Sequence, residues 1–121
     1  MSDFRCLNHA IELYKECKKQ SLIYSIKDQL IRASSSVALN LAEGNQRFTI
    51  KDKRKFFNIA LTSLREVQCI VEMEELKEIE KLANQLEAMI FSLNRNLNRK
   101  LKTENRKPIT EYRRIKEIIL I

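Results

Sequence analysis

Glycine and proline are nearly missing from this chain, whose 121 residues include one of each, Gly44 and Pro108. Tight β-turns draw on those two residues, so a sandwich or barrel of short strands is excluded and an all-α chain is expected. Tryptophan is absent and His9 is the single histidine. One imidazole cannot supply the Glu-x-x-His pair of a di-iron bundle, and neither a glycine-rich phosphate loop nor a Cys/His zinc cluster accompanies it. No catalytic residue, metal ligand or cofactor is therefore assigned, and His9, beside apolar residues of the first helix, reads as structural. No apolar run approaches the ~20 residues that span a bilayer. The opening Met1-Ser2-Asp3-Phe4-Arg5 lacks the charged-then-apolar layout of a signal peptide. A cytoplasmic protein is expected.

Cysteine is sparse too. Cys6, Cys17 and Cys69 form no CxxC pair and leave an odd thiol under any disulfide scheme. Cys6 and Cys17 lie about three helical turns apart, on one face with Ala10 and Leu13, and read as buried, reduced thiols.

What remains is 44% hydrophobic and 32% charged, the composition of one soluble domain. The formal charge of +7 is uneven: residues 1–92 carry a net +1 and residues 93–121 a net +6. That carboxyl-terminal excess is the main physical clue to a partner.

Apolar residues recur at helical spacing in four stretches. The first covers Asp3 to about Lys18, with Cys6, Ala10, Leu13 and Cys17 in one row and Phe4, Leu7, Ile11 and Tyr14 beside it. The second runs from about Ser25 to Glu43 with Leu30, Ala33, Val37 and Leu41 inward. Gly44 fits the left-handed position just past its end. Thr49 opens the third, with Asp52 three residues on as a variant capping box, and its row is Phe56, Ala60, Leu64, Val67 and Val71, flanked by Phe57 and Leu61. The fourth covers about Lys77 to Lys102 with Leu82, Leu86, Ile90, Leu93 and Leu97 inward. Short loops then predict an up-down-up-down four-helix bundle over residues 1–102. Residues 71–79 hold no Gly, Pro, Asn or Ser, so the third and fourth stretches either turn near Glu74 to Lys77, which is preferred, or run on as one rod. Residues 103–121 form a basic and apolar tail. Pro108 suits the start of a short helix there, and the end Ile118-Ile119-Leu120-Ile121 asks for cover by the bundle, a sister subunit or a membrane surface.

Residues 32–44 combine small and polar side chains that are poor choices for helix stability alone. They allow a second helix to approach closely. Ser36, Asn40 and Glu43 line one face of the second helix, and Ser63 and Glu66, beside Arg65, lie on the third. With Arg32 and Arg47 they could form a bonded polar network that fixes helix pairing or subunit contacts, or they could simply be solvated.

Two blocks in order carry a family resemblance: Arg32-Ala33-Ser34-Ser35-Ser36-Val37 continuing through Asn40-Leu41-Ala42-Glu43-Gly44 to Arg47, and Phe56, Asn58-Ile59-Ala60, Ser63-Leu64 and Glu66. With Ala10 and Leu13, they make residues 4–100 resemble the four-helix-bundle family of the 23S ribosomal RNA intervening-sequence protein. The resemblance implies an antiparallel bundle assembled as a homopentamer, with no enzymatic activity, encoded within insertions in bacterial large-subunit ribosomal RNA genes. A similar fold serves as the accessory variability determinant of diversity-generating retroelements, a basic pentameric barrel that binds nucleic acid and a reverse transcriptase. Thr62 stands where the family often has glycine, the connection between the third and fourth helices looks short, and the tail lies outside the resemblance.

Arg95, Arg99, Lys102 and Arg106 step by four, three and four residues, a basic line thickened by Lys100, Lys107, Arg113, Arg114 and Lys116. Asn94, Asn96 and Asn98 add neutral donors and acceptors. Cations at helical spacing can follow a phosphate backbone, and the resemblance favours RNA. Lys51, Lys53, Arg54 and Lys55 make a secondary basic patch at the start of the third helix, where cations oppose the helix dipole. The phenylalanines mostly fit core positions, leaving few exposed aromatics, so backbone or shape recognition is favoured over stacking on single strands. The alternative is a scaffold gripping an acidic protein partner without direct nucleic-acid binding. A membrane, reached through residues 109–121, is the least favoured partner.

Overall fold

The computed structural model describes residues 4–105, in which four α-helices follow one another. They are α1 (Arg5–Lys18), α2 (Tyr24–Gln46), α3 (Ile50–Met73) and α4 (Lys77–Asn105). The described residues contain no strand, as one glycine and one proline foretell. The expected start at Asp3 and the short helix after Pro108 lie outside the described residues.

Each helix packs on two others: α2 on α1 and α3, α3 on α2 and α4, with α1 against α4 closing the arrangement. The core is the set of 3.6-period rows. Cys6, Ala10, Leu13 and Cys17 of α1, and Leu30, Ala33, Val37 and Leu41 of α2, are buried. On α3, Phe57 takes the core place expected of Phe56, with Ala60, Leu61, Leu64, Val67 and Val71 behind it. The α4 row is Ile79, Ala83, Leu86, Ile90 and Leu97, while Leu82 and Leu93 are half-buried at its edge. That face is rotated from the expected one because Ala83, too small to stand out in a hydrophobic count, sits at its centre.

Gly44 is not a cap. Helix α2 continues to Gln46, and no glycine among the described residues has positive φ. Its role is close approach: a Cβ at Gly44 would lie 2.7 Å from Phe57 Cε1, 2.8 Å from Phe57 Cδ1 and 3.1 Å from Phe56 Cβ. The helix ends instead on Arg47, whose extended backbone N–H donates to the Gly44 carbonyl. Lys53 reaches back from α3 and donates through Nζ to the carbonyls of Gly44 and Asn45 at 3.3 and 3.0 Å. The last turn of α2 carries no basic residue of its own, so this borrowed ammonium adds a charged donor to its terminal carbonyls and complements the dipole.

Thr49 caps α3, its hydroxyl accepting from the Asp52 N–H at 3.1 Å. At the other end, α3 and α4 are separate helices joined by a tight turn. Leu76 N–H donates to the Val71 carbonyl at 2.9 Å and Glu75 N–H to that of Glu72 at 3.3 Å. Those two bonds make a Schellman motif, and Leu76 packs against the core as the motif's apolar contact. The left-handed residue is Glu75, φ 55°.

Candidate nucleic-acid interface

The four cations of the α4 line within the described residues, Arg95, Arg99, Lys100 and Lys102, are all exposed. Their helix runs on to Asn105, so the helical spacing assumed for Arg95, Arg99 and Lys102 holds. Arg106, Lys107, Arg113, Arg114 and Lys116 lie outside the described residues. Asn94 is drawn into packing, donating through Nδ2 to Asn58 Oδ1 of α3 at 3.1 Å, whereas Asn96 and Asn98 stay exposed.

The secondary patch is not separate from this line. A groove of about 490 Å³ is lined by Lys51, Arg54, Lys55 and Asn58 of α3 together with Leu101 of α4. Leu101 is flanked in sequence by Lys100 and Lys102, the end of the basic line on α4. Lys53 is the exception, occupied with the end of α2. Its place in the patch is corrected: at the N-terminus of α3 it looks misplaced for helix stability, but the helix it stabilises is α2. Arg47 joins the same end, its guanidinium 4.7 Å from the centre of the Phe56 ring and paired with Glu43. Lys55 Nζ lies 5.7 Å from that ring.

The remaining polar residues divide in two. Ser36 and Ser63 share a hydrogen bond of 2.7 Å between α2 and α3, and Asn40 Nδ2 donates to the Ser36 carbonyl and hydroxyl at 2.8 and 3.2 Å. Arg32, Ser36, Ser63 and Glu66 line one cleft of about 330 Å³. Arg32 reaches only Asp28, at 3.9 Å, and Arg65 is exposed. Glu43 answers to Arg47 within its own helix, so the predicted row does not form one continuous chain of bonds.

The other groups resemble structure more than chemistry. His9 Nδ1 donates to the Arg5 carbonyl one turn earlier. Cys6 and Cys17 are buried, and burial pushes their thiols up to about 12 and about 11, with a hydrogen bond from Ser34 drawing Cys17 part of the way back. Cys69 is exposed. No group of three or more His, Cys, Asp or Glu among the described residues could hold a metal ion, and no helix is long and apolar enough to cross a membrane.

Sequence reasoning passed over Phe48, which is 100% exposed in the turn between α2 and α3. A signal was present. Phe48 precedes the Thr49 cap, where an apolar residue would pack on the fourth helical position, and that position is Lys53.

The family model of the 23S rRNA-intervening sequence protein matches residues 3–99. The chain belongs to that family. Among solved structures, a protein of unknown function from the S23 ribosomal protein family of Bacteroides thetaiotaomicron is similar, with a TM-score of 0.57 and 19% identity. The similarity covers 74% of this chain and 92% of that one. No curated protein matches. The intervening-sequence match spans all four helices but stops at residue 99, so Lys100, Lys102 and the tail lie beyond it.

Proposed function

We propose that this chain is a non-enzymatic, cytoplasmic, homo-oligomeric bundle that binds nucleic acid, RNA foremost, and is encoded by an rRNA intervening sequence or a similar element. Its binding surface is the basic end built from Arg95, Arg99, Lys100 and Lys102 of α4 with Lys51, Arg54 and Lys55 of α3. The proposed surface includes the tail cations Arg106, Lys107, Arg113 and Arg114, which lie outside the described residues. The observation that carries this reading is the groove in which Lys51, Arg54 and Lys55 of α3 meet Leu101 of α4, the sequence neighbour of Lys100 and Lys102. Neither cluster has an ion-pair partner to explain its charge among the described residues.

An up-down-up-down course is supported by the side-chain pairs of α3 and α4. Gln68 meets Asn84 and Asn58 meets Asn94, so the two helices run in opposite senses. Assembly, as a pentamer by the family resemblance, is supported by apolar side chains left outside the core, among them Leu39 at 69% exposure with Ile59 and Phe91. The Ser36–Ser63 bond, buttressed by Asn40, sets the register of α2 on α3 within each subunit.

Fluorescence anisotropy with labelled single-stranded RNA, duplex RNA and duplex DNA, from about 50 to 200 mM salt, tests the reading. Binding that weakens steeply with salt is expected. Absence of binding at the lowest salt sinks the proposal and leaves the surface to a protein partner or the subunit interface.

A further inference from the structure

We propose that Phe48 is a base-stacking platform, which makes the basic end a site for single strands with an unpaired base. The inference rests on the nucleic-acid reading above and narrows its substrate class.

The ring has no use in the fold. It is fully exposed, and the position on which a residue before a helix cap would pack is Lys53, turned away toward the carbonyls of Gly44 and Asn45. Yet the backbone that carries it is held on both sides. Arg47 N–H is bonded to the Gly44 carbonyl, and the Thr49 hydroxyl accepts from Asp52 N–H. A rigid turn thus presents an open aromatic face to solvent.

Its surroundings give that face a purpose. Phe56, close by in sequence, already has Arg47 and Lys55 near its ring, at 4.7 and 5.7 Å. No cation lies over the Phe48 ring among the described contacts. Lys51, Arg54 and Lys55 follow it within seven residues of sequence and lead to the groove at Leu101. Cations that hold a phosphate backbone beside an aromatic ring that takes a base are the two parts from which single-strand sites are made. A duplex offers the cations the same phosphates but hides its base faces in the stack, so the ring distinguishes the two. This departs from the expectation that few aromatics are exposed to stack on bases.

The test compares wild type, Phe48→Ala and Phe48→Trp on labelled single strands of about 12 nucleotides, RNA and DNA, and on duplexes. Phe48→Ala is expected to lose roughly tenfold in affinity for both single strands, the worth of one stacked base, with duplex affinity and salt slope unchanged. Because the chain has no tryptophan, Phe48→Trp places a single, selectively excitable indole in the turn, and saturating single strand is expected to quench it. The proposal is overturned by single-strand affinity untouched in Phe48→Ala, or by equal losses on duplex and single strand. A changed oligomeric state in Phe48→Ala on light scattering also overturns it, since the ring would then be a subunit contact. Wild-type protein that binds no nucleic acid at about 50 mM salt would instead defeat the broader reading.

Discussion

Two turns at opposite ends of the molecule invert the usual placement of glycine. The α2–α3 turn has the only glycine beside it, but Gly44 is helical and serves to let Phe57 in. The α3–α4 turn needs a left-handed residue and uses Glu75. The ends differ in charge as sharply. Around the first turn stand Arg47, Lys51, Lys53, Arg54 and Lys55 against Asp52; around the second stand Glu72, Glu74, Glu75, Glu78 and Glu80 against Lys77 and Lys81. The glycine has gone where packing density demands it, and the steric cost of a left-handed glutamate is borne where the backbone meets water. Close packing at the basic end fixes the elements that carry the proposed binding groups, whereas the acidic end only has to reverse the chain.

The largest effect that would separate the ends is on binding. Arg95→Glu with Arg99→Glu is expected to weaken RNA binding by roughly 100-fold and to flatten its salt dependence while leaving the oligomer intact. The matched reversal Glu78→Lys with Glu80→Lys is expected to change affinity by less than about threefold, because charges beyond a Debye length are screened. Equal effects from both pairs, read by anisotropy, would mean that net charge rather than the basic end governs binding.

Next in size is packing. In Gly44→Ala the new methyl meets a ring that is itself 97% buried, since Phe57 is 3% exposed and Phe4 stands behind it with ring centres 6.3 Å apart. Overpacking of this kind costs about 1–3 kcal/mol, against a helix-propensity gain of about 1 kcal/mol for replacing glycine. A net loss of up to about 2 kcal/mol is expected in urea unfolding. Phe57→Leu removes the ring atoms nearest that methyl, so in its background the alanine is expected to be neutral or mildly stabilising. A stabilising Gly44→Ala in the wild-type background would refute the close-approach account.

Where the chain was legible and where it was not follows the reach of each interaction. The rows of α1 and α2, the Thr49–Asp52 cap and a chain reversal near Glu74 depend on neighbours within a few residues, and all could be read from the sequence; the α4 row was offset because Ala83 is too small to stand out. Gly44 was misread because the residue that explains it, Phe57, is thirteen positions away and belongs to another helix. Lys53 was misread for the same reason: its partners are the carbonyls that end α2. The meeting of Lys51, Arg54 and Lys55 with Leu101 spans about half the chain and exists only once α3 and α4 pack. Phe48 needed a different kind of reading, of a staple position with no apolar residue to receive it.

A smaller effect concerns the two thiols inside the α1 row. Folded Cys6 and Cys17 lie above the ordinary thiol value of 9.0, held there by burial, with Ser34 moderating Cys17. Their contribution to stability is therefore complete below about pH 9 and is lost as pH rises through about 11 and about 12. Each contributes a slope of at most about 1.4 kcal/mol per pH unit in that window. Urea midpoints from pH 8 upward should fall, and Cys17→Ala should fall less steeply. At pH 8 a thiol reagent should label Cys69 at once and the other two only on unfolding. Immediate labelling of all three would show that α1 does not stay packed.

The smallest effect sharpens the comparison of turns directly. A left-handed residue with a Cβ costs about 1 kcal/mol relative to glycine, partly offset by the greater freedom glycine adds to the unfolded chain. Glu75→Gly should therefore raise stability by about 0.5–1 kcal/mol, read as a higher urea midpoint with an unchanged slope. The turn lies at the other end of α3 from Gly44, so the effects of Gly44→Ala and Glu75→Gly should add to within about 0.5 kcal/mol. The double variant keeps one glycine but moves it from the close contact to the left-handed turn. Its stability should still fall below wild type, because the clash at Phe57 outweighs the relief at the turn. A double variant at least as stable as wild type would mean that Phe57 yields cheaply to the new methyl, and that the basic end is less tightly packed than its geometry indicates.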